Sequence, residues 1–421
     1  MKKFLSNYRS TIILIVAIIV GAIIGLVFKE KAAILKPFGD IFLNLLLVTI
    51  VPLIFFTITT SIAKMKTPKR IGKIMITIIL VFIVTSLIAV FIGVLSTYWI
   101  KLVNPDDGEK IRISLEEEEE TTSESTEEDL SIADRTVELL TVNDFNKLLS
   151  KSNIIALLII SIITGIAANM AKEKGKAFLD FCISANEVIQ NIIKIIMYYA
   201  PIGLGSYFAY LIGSFGSSIA VGYFKTFVIY TVLSVAYYFI MYTLYAFIAG
   251  RKEGVKRFWK NALNPTLTSL GTCSSAASIP VNVEAAKSIG VSDDIAETTI
   301  PMGSSFHKDG SIIGSVFKIM FLVCLFQTPI NSASMLFKVI GVALLANLLI
   351  TGVPIGGGTI SEMLIITMLG YPVASLPILT MIATIIDMPA TMLNVVGDTV
   401  SSMVVARIVD GKEWLNKKKN H

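Results

Sequence analysis

Hydrophobic and polar positions in this chain are grouped by whole segments rather than by single residues. Continuously apolar runs such as TIILIVAIIVGAIIGLVF and IIALLIISIITGIAA recur between short polar or charged connections. A helix needs about 20 residues to cross a hydrocarbon layer, whereas the strands of a spanning barrel would alternate apolar and polar side chains. The runs therefore predict helices in lipid, with conventional spans at about 11–29, 40–63, 73–101, 152–172, 188–213 and 219–249.

From about residue 258 the pattern changes, because Gly, Ser, Thr and Pro interrupt the apolar stretches. The interruptions form two matching sets. In the first, TLTSLGTCSSAASIP (266–280) is a small-residue tip, followed by a segment broken at GSSFHKDGS (303–311). In the second, TGVPIGGGTIS (351–361) is a tip, followed by a segment broken at DMPATMLNVVGD (387–398). Two re-entrant hairpins, each followed by a discontinuous helix, account for both. Irregular backbone at membrane depth survives only where protein or a water-filled cavity satisfies its N–H and C=O groups, so paired interruptions point to a midplane binding site between the two halves. The competing reading is close helix packing through small residues.

Composition agrees with this placement. The 421 residues are 54% hydrophobic and 16% charged, with a mean hydropathy of +0.74, against about 25% charged in soluble domains. The net charge of +5 is distributed in blocks. Lys2, Lys3 and Arg9, then Lys64 to Lys73, then Arg251 to Lys260, then Lys417 to Lys419 mark one side, the cytoplasmic one by the positive-inside rule, with both termini on it. The acidic run from Glu116 to Asp129 falls on the other side as a solvated loop. Cys182, Cys273 and Cys324 have no metal-ligand spacing, and their odd number argues against a disulfide framework. The apolar stretch after MKKFLSNYRS lacks a small-residue cleavage site and is expected to be a retained first helix.

Ionisable residues collect in the interruptions: His307, Lys308 and Asp309 in the first, Asp387 and Asp398 in the second. Each charge at the bilayer centre costs at least about 2.5–3.5 kcal/mol on insertion scales, which makes function, or a locking ion pair such as Lys308 with Asp309, the available explanations. Carboxylates and freed carbonyls suit a hard cation such as Na⁺. N–H groups at half-helix N-termini suit a substrate carboxylate, and Asp387 among apolar neighbours suits a substrate ammonium.

At SSAASIP, the DG-containing break, GVPIGG and DMPATMLNVVGD, taken in order, the chain resembles the dicarboxylate/amino acid:cation symporters, that is, the glutamate transporter superfamily including the archaeal aspartate transporters. KPFGDIFLNLLLVTIVPLIF, the Thr85–Ser86 pair and YYAPIGLGSYFAY extend the likeness over nearly the whole length. The resemblance implies an all-α polytopic membrane protein of eight transmembrane helices plus two re-entrant helical hairpins, with the glutamate-transporter-like elevator fold and a homotrimeric assembly in the cell membrane. It divides the chain into scaffold spans at 1–72 and 152–218, an acidic extracellular loop at 102–151, and a transport domain made of 73–101 and 219–421.

The resemblance also implies site residues. Substrate-binding positions are Ser274, Ser275, Lys308, Ser311, Val353, Gly356, Gly357, Asp387, Thr391 and Asn394. Cation positions are Thr85, Ser86, His307, Asp309, Asn394 and Asp398, with Na⁺ as the expected ion, no organic cofactor and no nucleic-acid partner. Three departures matter. Acidic-substrate members carry an arginine where this chain has Ala390, which favours a neutral amino acid as substrate. The family's NMDGT reads His307-Lys308-Asp309-Gly310-Ser311, so the Lys308 ammonium stands in for a bound cation, meets a substrate carboxylate, or neutralises a nearby aspartate, while His307 is placed to carry a proton. The hydroxyl-bearing positions before the second tip read Asn347, Leu348, Leu349 and Ile350, which argues for fewer coupled ions. The expected function is therefore cation-coupled symport of amino acids, neutral ones favoured. The alternative is an acidic amino acid or dicarboxylate symporter in which Lys308 replaces the arginine, proton-coupled or independent of Na⁺. An enzyme is disfavoured because no nucleophile and base or metal cluster shares the neighbourhood of His307, and a channel because an ammonium-binding aspartate and gated tips fit alternating access.

Overall fold

The computed structural model describes residues 9–63, 69–103, 112–113, 141–149, 153–215, 217–328, 330–348 and 358–416. Among these residues the regular structure is helical, without strands. The major helices are α1 (Arg9–Phe28), α2 (Lys36–Ala63), α3 (Lys69–Tyr98), α4 (Ile154–Met170), α5 (Lys176–Phe215) and α6 (Ser217–Asn261). They continue as α7 (Leu263–Thr272), α8 (Ser275–Ile289), α9 (Asp293–Phe306), α10 (Asp309–Leu325), α11 (Ala333–Leu348), α12 (Thr359–Leu369) and α13 (Leu376–Val409). The acidic run 116–129 and the second tip at 351–357, with Val353, Gly356 and Gly357, lie outside the described residues.

Among the described residues three helical stretches, Lys73–Tyr98, Ile219–Asn261 and Val373–Val409, are long and apolar enough to cross a membrane, and a bent pair within 172–214 adds a fourth candidate. That pair bends by 52° between Ile196 and Tyr198. Pro201 lies just beyond, and its ring clashes with the carbonyl four residues earlier while removing one hydrogen bond, so residue 197 is where the helix must yield. In α1, Val16, Ile19, Ile23 and Val27 are exposed, a face that an aqueous surface would not tolerate and that acyl chains cover without cost.

α1, α2, α4 and α5 pack on one another. Thr57 donates to the Asn186 side chain at 2.8 Å, Thr59 to the Ser161 carbonyl at 3.2 Å, and Asn169 to the Ala63 carbonyl at 3.0 Å. Gly21 lets α1 approach α5 so closely that a Cβ there would collide with the Gly205 backbone. A second set is centred on α13, which packs against α3, α6, α7, α8, α9, α10 and α12. Basic segments converge at one end of this set, where Lys73 donates to the Val409 carbonyl at 3.3 Å and Arg257 to the Ile289 and Leu415 carbonyls at 3.2 and 3.3 Å.

The first tip is a helix–turn–helix: α7 ends on Cys273, at φ +47°, and Ser274 caps α8 by accepting from the Ala277 N–H at 3.2 Å. The first break is present, with His307 and Lys308 extended between α9 and α10. The second break is not. α13 runs unbroken from Leu376 to Val409 with Pro389 inside it, because packing on several sides offsets the single hydrogen bond that proline removes. The break between α9 and α10 lies close against α13, and a Cβ at Gly310 would collide with the Ala390 backbone. Gly310→Ala is expected to lower stability by about 1–3 kcal/mol through overpacking, read as a lower unfolding temperature of the purified protein in detergent.

Candidate functional site

At the first break the His307 N–H still closes on the Gly303 carbonyl, and the helix carbonyls after Gly303 lose their intrahelical partners, as at any helix C-terminus. Lys308 turns back on this end: its Nζ donates to the Ser305 carbonyl, and the side chain is 1% exposed. On the other side of the break Asp309 opens α10, where the helix dipole favours a carboxylate. Its Oδ2 accepts from the Tyr237 hydroxyl at 3.2 Å.

His307 lies between these elements with no exposed surface. Its Nδ1 is 2.9 Å from Asp398 Oδ1 on α13. Its Nε2 is 2.8 Å from Thr85 Oγ1 on α3 and 3.2 Å from Asp309 Oδ1. Phe82, one turn before Thr85, stacks on the ring with centroids 4.3 Å apart and planes 11° from parallel. Four of the expected cation positions, Thr85, His307, Asp309 and Asp398, are thus gathered in one contact cluster, in which the His307 ring joins the other three. Ser86 is buried beside Thr85. Among the described residues no group of His, Cys, Asp or Glu side chains has metal-binding geometry.

The expected substrate positions form a neighbouring polar strip on α13. Asn394 receives the Ser311 N–H at 3.1 Å and donates to Ser311 Oγ at 2.9 Å, so the two residues lock the start of α10 to α13. Because α13 is unbroken, the Asn394 carbonyl also takes part in helical hydrogen bonding. One turn earlier Thr391 donates to Asp387 at 3.3 Å, with Asp387 half-buried and Ala390 buried. Ser274 and Ser275 are buried at the turn between α7 and α8, both of which pack on α13.

Several supporting residues carried only a faint sequence signal. Tyr230, Tyr237, Tyr242 and Tyr245 recur along α6 at helical spacing, so they share one face. Tyr230 donates to the Gly310 carbonyl at 2.7 Å and Tyr242 to the Leu393 carbonyl at 2.5 Å. Asn282 donates to the Val395 carbonyl at 2.8 Å and receives the Thr399 hydroxyl, tying α8 to α13. Lys318 and Glu362 form a buried ion pair between α10 and α12 at 3.4 Å, and Thr380 donates to Glu362 at 2.7 Å. Each is a lone charge in an apolar run, a pattern that names a residue but not its partner.

Apolar spanning helices, a buried charged break and a polar strip opposite it are the parts of a secondary transporter rather than of an enzyme. The family model for the sodium:dicarboxylate symporter family matches residues 11–408, and the chain belongs to that family. It is 26% identical over 397 residues to a C4-dicarboxylate transport protein of Anaeromyxobacter sp. (strain K), covering 93% of this chain and 88% of the relative. It is 28% identical to a C4-dicarboxylate transport protein of Pseudomonas syringae pv. tomato, covering 94% and 85%. It is 27% identical to C4-dicarboxylate transport protein 2 of Pseudomonas aeruginosa, covering 95% and 91%.

Removing one partner of a buried ion pair costs about 3–5 kcal/mol, whereas replacing both by neutral side chains of similar volume costs far less. Lys318→Met is therefore expected to destabilise the protein more than the double variant Lys318→Met/Glu362→Gln, compared by thermal unfolding in detergent.

Proposed function

We propose that this protein is a cation-coupled symporter of a C4-dicarboxylate, with Lys308 meeting one substrate carboxylate. The observation that carries the reading is a buried ammonium at the break between α9 and α10, in a chain related over nearly its full length to C4-dicarboxylate transport proteins. An ammonium has three donor protons. Lys308 directs one at the Ser305 carbonyl, which leaves donors for an acidic ligand. Ser274, Ser275, Ser311, Thr391 and Asn394 supply polar lining.

The same reading makes 1–72 and 152–218 a static scaffold and 73–101 with 219–421 a moving transport domain, in a homotrimer whose termini face the cytoplasm. α1, α2, α4 and α5 pack chiefly on one another, meeting the other set mainly where α5 touches α6 and α2 touches α12, which supports that division. The convergence of basic segments at one end supports the orientation.

A second reading, a neutral amino acid as substrate, is favoured by Asp387 and by Ala390 in place of an arginine. Thermal shift of the purified protein with succinate, malate, aspartate, alanine and serine separates the two. Succinate and malate are expected to stabilise it. In Lys308→Met their apparent Kd is expected to rise about 10- to 100-fold, the worth of a hydrogen bond to a charged group. Stabilisation by alanine or serine alone, lost in Asp387→Asn, would replace the dicarboxylate by an amino acid.

A further inference from the structure

One exposed strip on α6 and α7 belongs neither to the site nor to the packing around α13. α6 folds back on itself at Gly250 and Arg251, where φ/ψ of −147°/20° and 50°/−146° leave the helical region. Beyond that turn the chain runs antiparallel to the apolar part of α6. Gly254 lies against the Ala246 carbonyl. Trp259 donates to Thr243 Oγ1 at 3.0 Å and stacks on Phe239 with centroids 5.3 Å apart, and the Tyr238 and Thr266 hydroxyls share a hydrogen bond of 2.7 Å. These pairs act as a ruler that gives each residue of the returning arm a height along α6.

On the outer face of the arm Lys252, Lys256 and Lys260 are exposed at intervals of four, followed by exposed Leu263 and Leu267. Ala262, which joins α6 to α7, keeps helical φ/ψ of −72°/−21°, so the strip is continuous. Residues three and four apart share one helical face, and at about 1.5 Å per residue the strip is cationic for about 12 Å and apolar beyond. By the ruler the lysines stand level with residues 242–250, where α6 itself exposes Leu244, Phe247 and Ile248. Exposed apolar side chains at that height belong against acyl chains, so the three ammonium groups lie where acyl chains give way to headgroups. Glu253, the one acidic residue between 252 and 272, is taken by Arg257 at 2.8 Å. Among the described residues no ion pair includes the three lysines.

We propose that this strip binds anionic phospholipids at the basic end of the protein, the three ammonium groups meeting their phosphates and Leu263 and Leu267 their acyl chains. Lysine suits the position, because its long apolar stem follows the hydrocarbon while the ammonium reaches the headgroup level, and clusters of lysine beside a spanning helix attract anionic lipid. The arm leads directly into the turn at Cys273 and Ser274, so bound lipid steadies that turn.

The test needs neither an organic substrate nor transport, so it stands apart from the dicarboxylate reading. Purified protein in detergent is supplemented with phosphatidylglycerol or with phosphatidylcholine of the same acyl chains, and unfolding temperatures are compared. Phosphatidylglycerol is expected to raise the unfolding temperature by about 2–4 °C more than phosphatidylcholine. Lys252→Gln/Lys256→Gln/Lys260→Gln is expected to lose most of that difference, and the corresponding triple arginine variant to retain it. Lys172→Gln/Lys174→Gln/Lys176→Gln removes as many charges from the exposed connection between α4 and α5 and is expected to keep the full difference. Equal shifts of the wild type in the two lipids, a strip variant that keeps the difference, or a control that loses as much, overturns the proposal. A strip variant that keeps the lipid difference but moves on size exclusion would assign the strip to a second copy of the chain instead.

Discussion

The interior of this protein depends on one electrostatic constraint: charges held away from water must be neutralised by other parts of the chain. Asp309 and Asp398 are 0% and 1% exposed, and carboxylates so placed without a cationic partner would be prohibitively costly. The His307 ring lies between both, and because its contacts come from α3, α10 and α13 it also fixes how those helices meet. The position that distinguishes the chain chemically is therefore also a structural junction.

Around that junction, polar groups are spent on registering elements to α13. The reciprocal pair of Asn394 with Ser311, Asn282 on the Val395 carbonyl, and Tyr242 on the Leu393 carbonyl hold α10, α8 and α6 against the same stretch. An unbroken α13 makes such a hub effective, since a rigid helix transmits each contact along its length. Pro389 is tolerated there because its neighbours are fixed by packing rather than by the missing backbone bond. The Lys318–Glu362 pair extends the same principle to α12, the arm that follows the second tip.

Membership of the sodium:dicarboxylate symporter family describes the chain from residue 11 to 408, while the break between α9 and α10 carries a histidine and a lysine, His307 and Lys308, with their own chemistry. Family membership and local chemistry answer different questions. The first concerns the frame in which a substrate and a cation cross the membrane, the second which charges the protein itself already supplies. Under the two proposed readings, Asp387 and Ala390 favour an amino acid and Lys308 favours a dicarboxylate.

Much of this was legible in the residues alone. Long apolar runs give the spanning helices because lipid leaves the backbone no partner but itself. The small-residue run at 266–280 gives the turn between α7 and α8, and His307-Lys308 gives the break before α10. Two things were not legible. The motif at 387–398 carries the same proline and glycine signals as a true break, yet packing around α13 keeps it helical. The meaning of His307 was hidden too, because its partners Thr85 and Asp398 are 222 and 91 positions away. Local propensity and hydropathy determine which segments enter the membrane. Only tertiary packing decides which buried charge faces which, because that pairing depends on distances the order of residues does not encode.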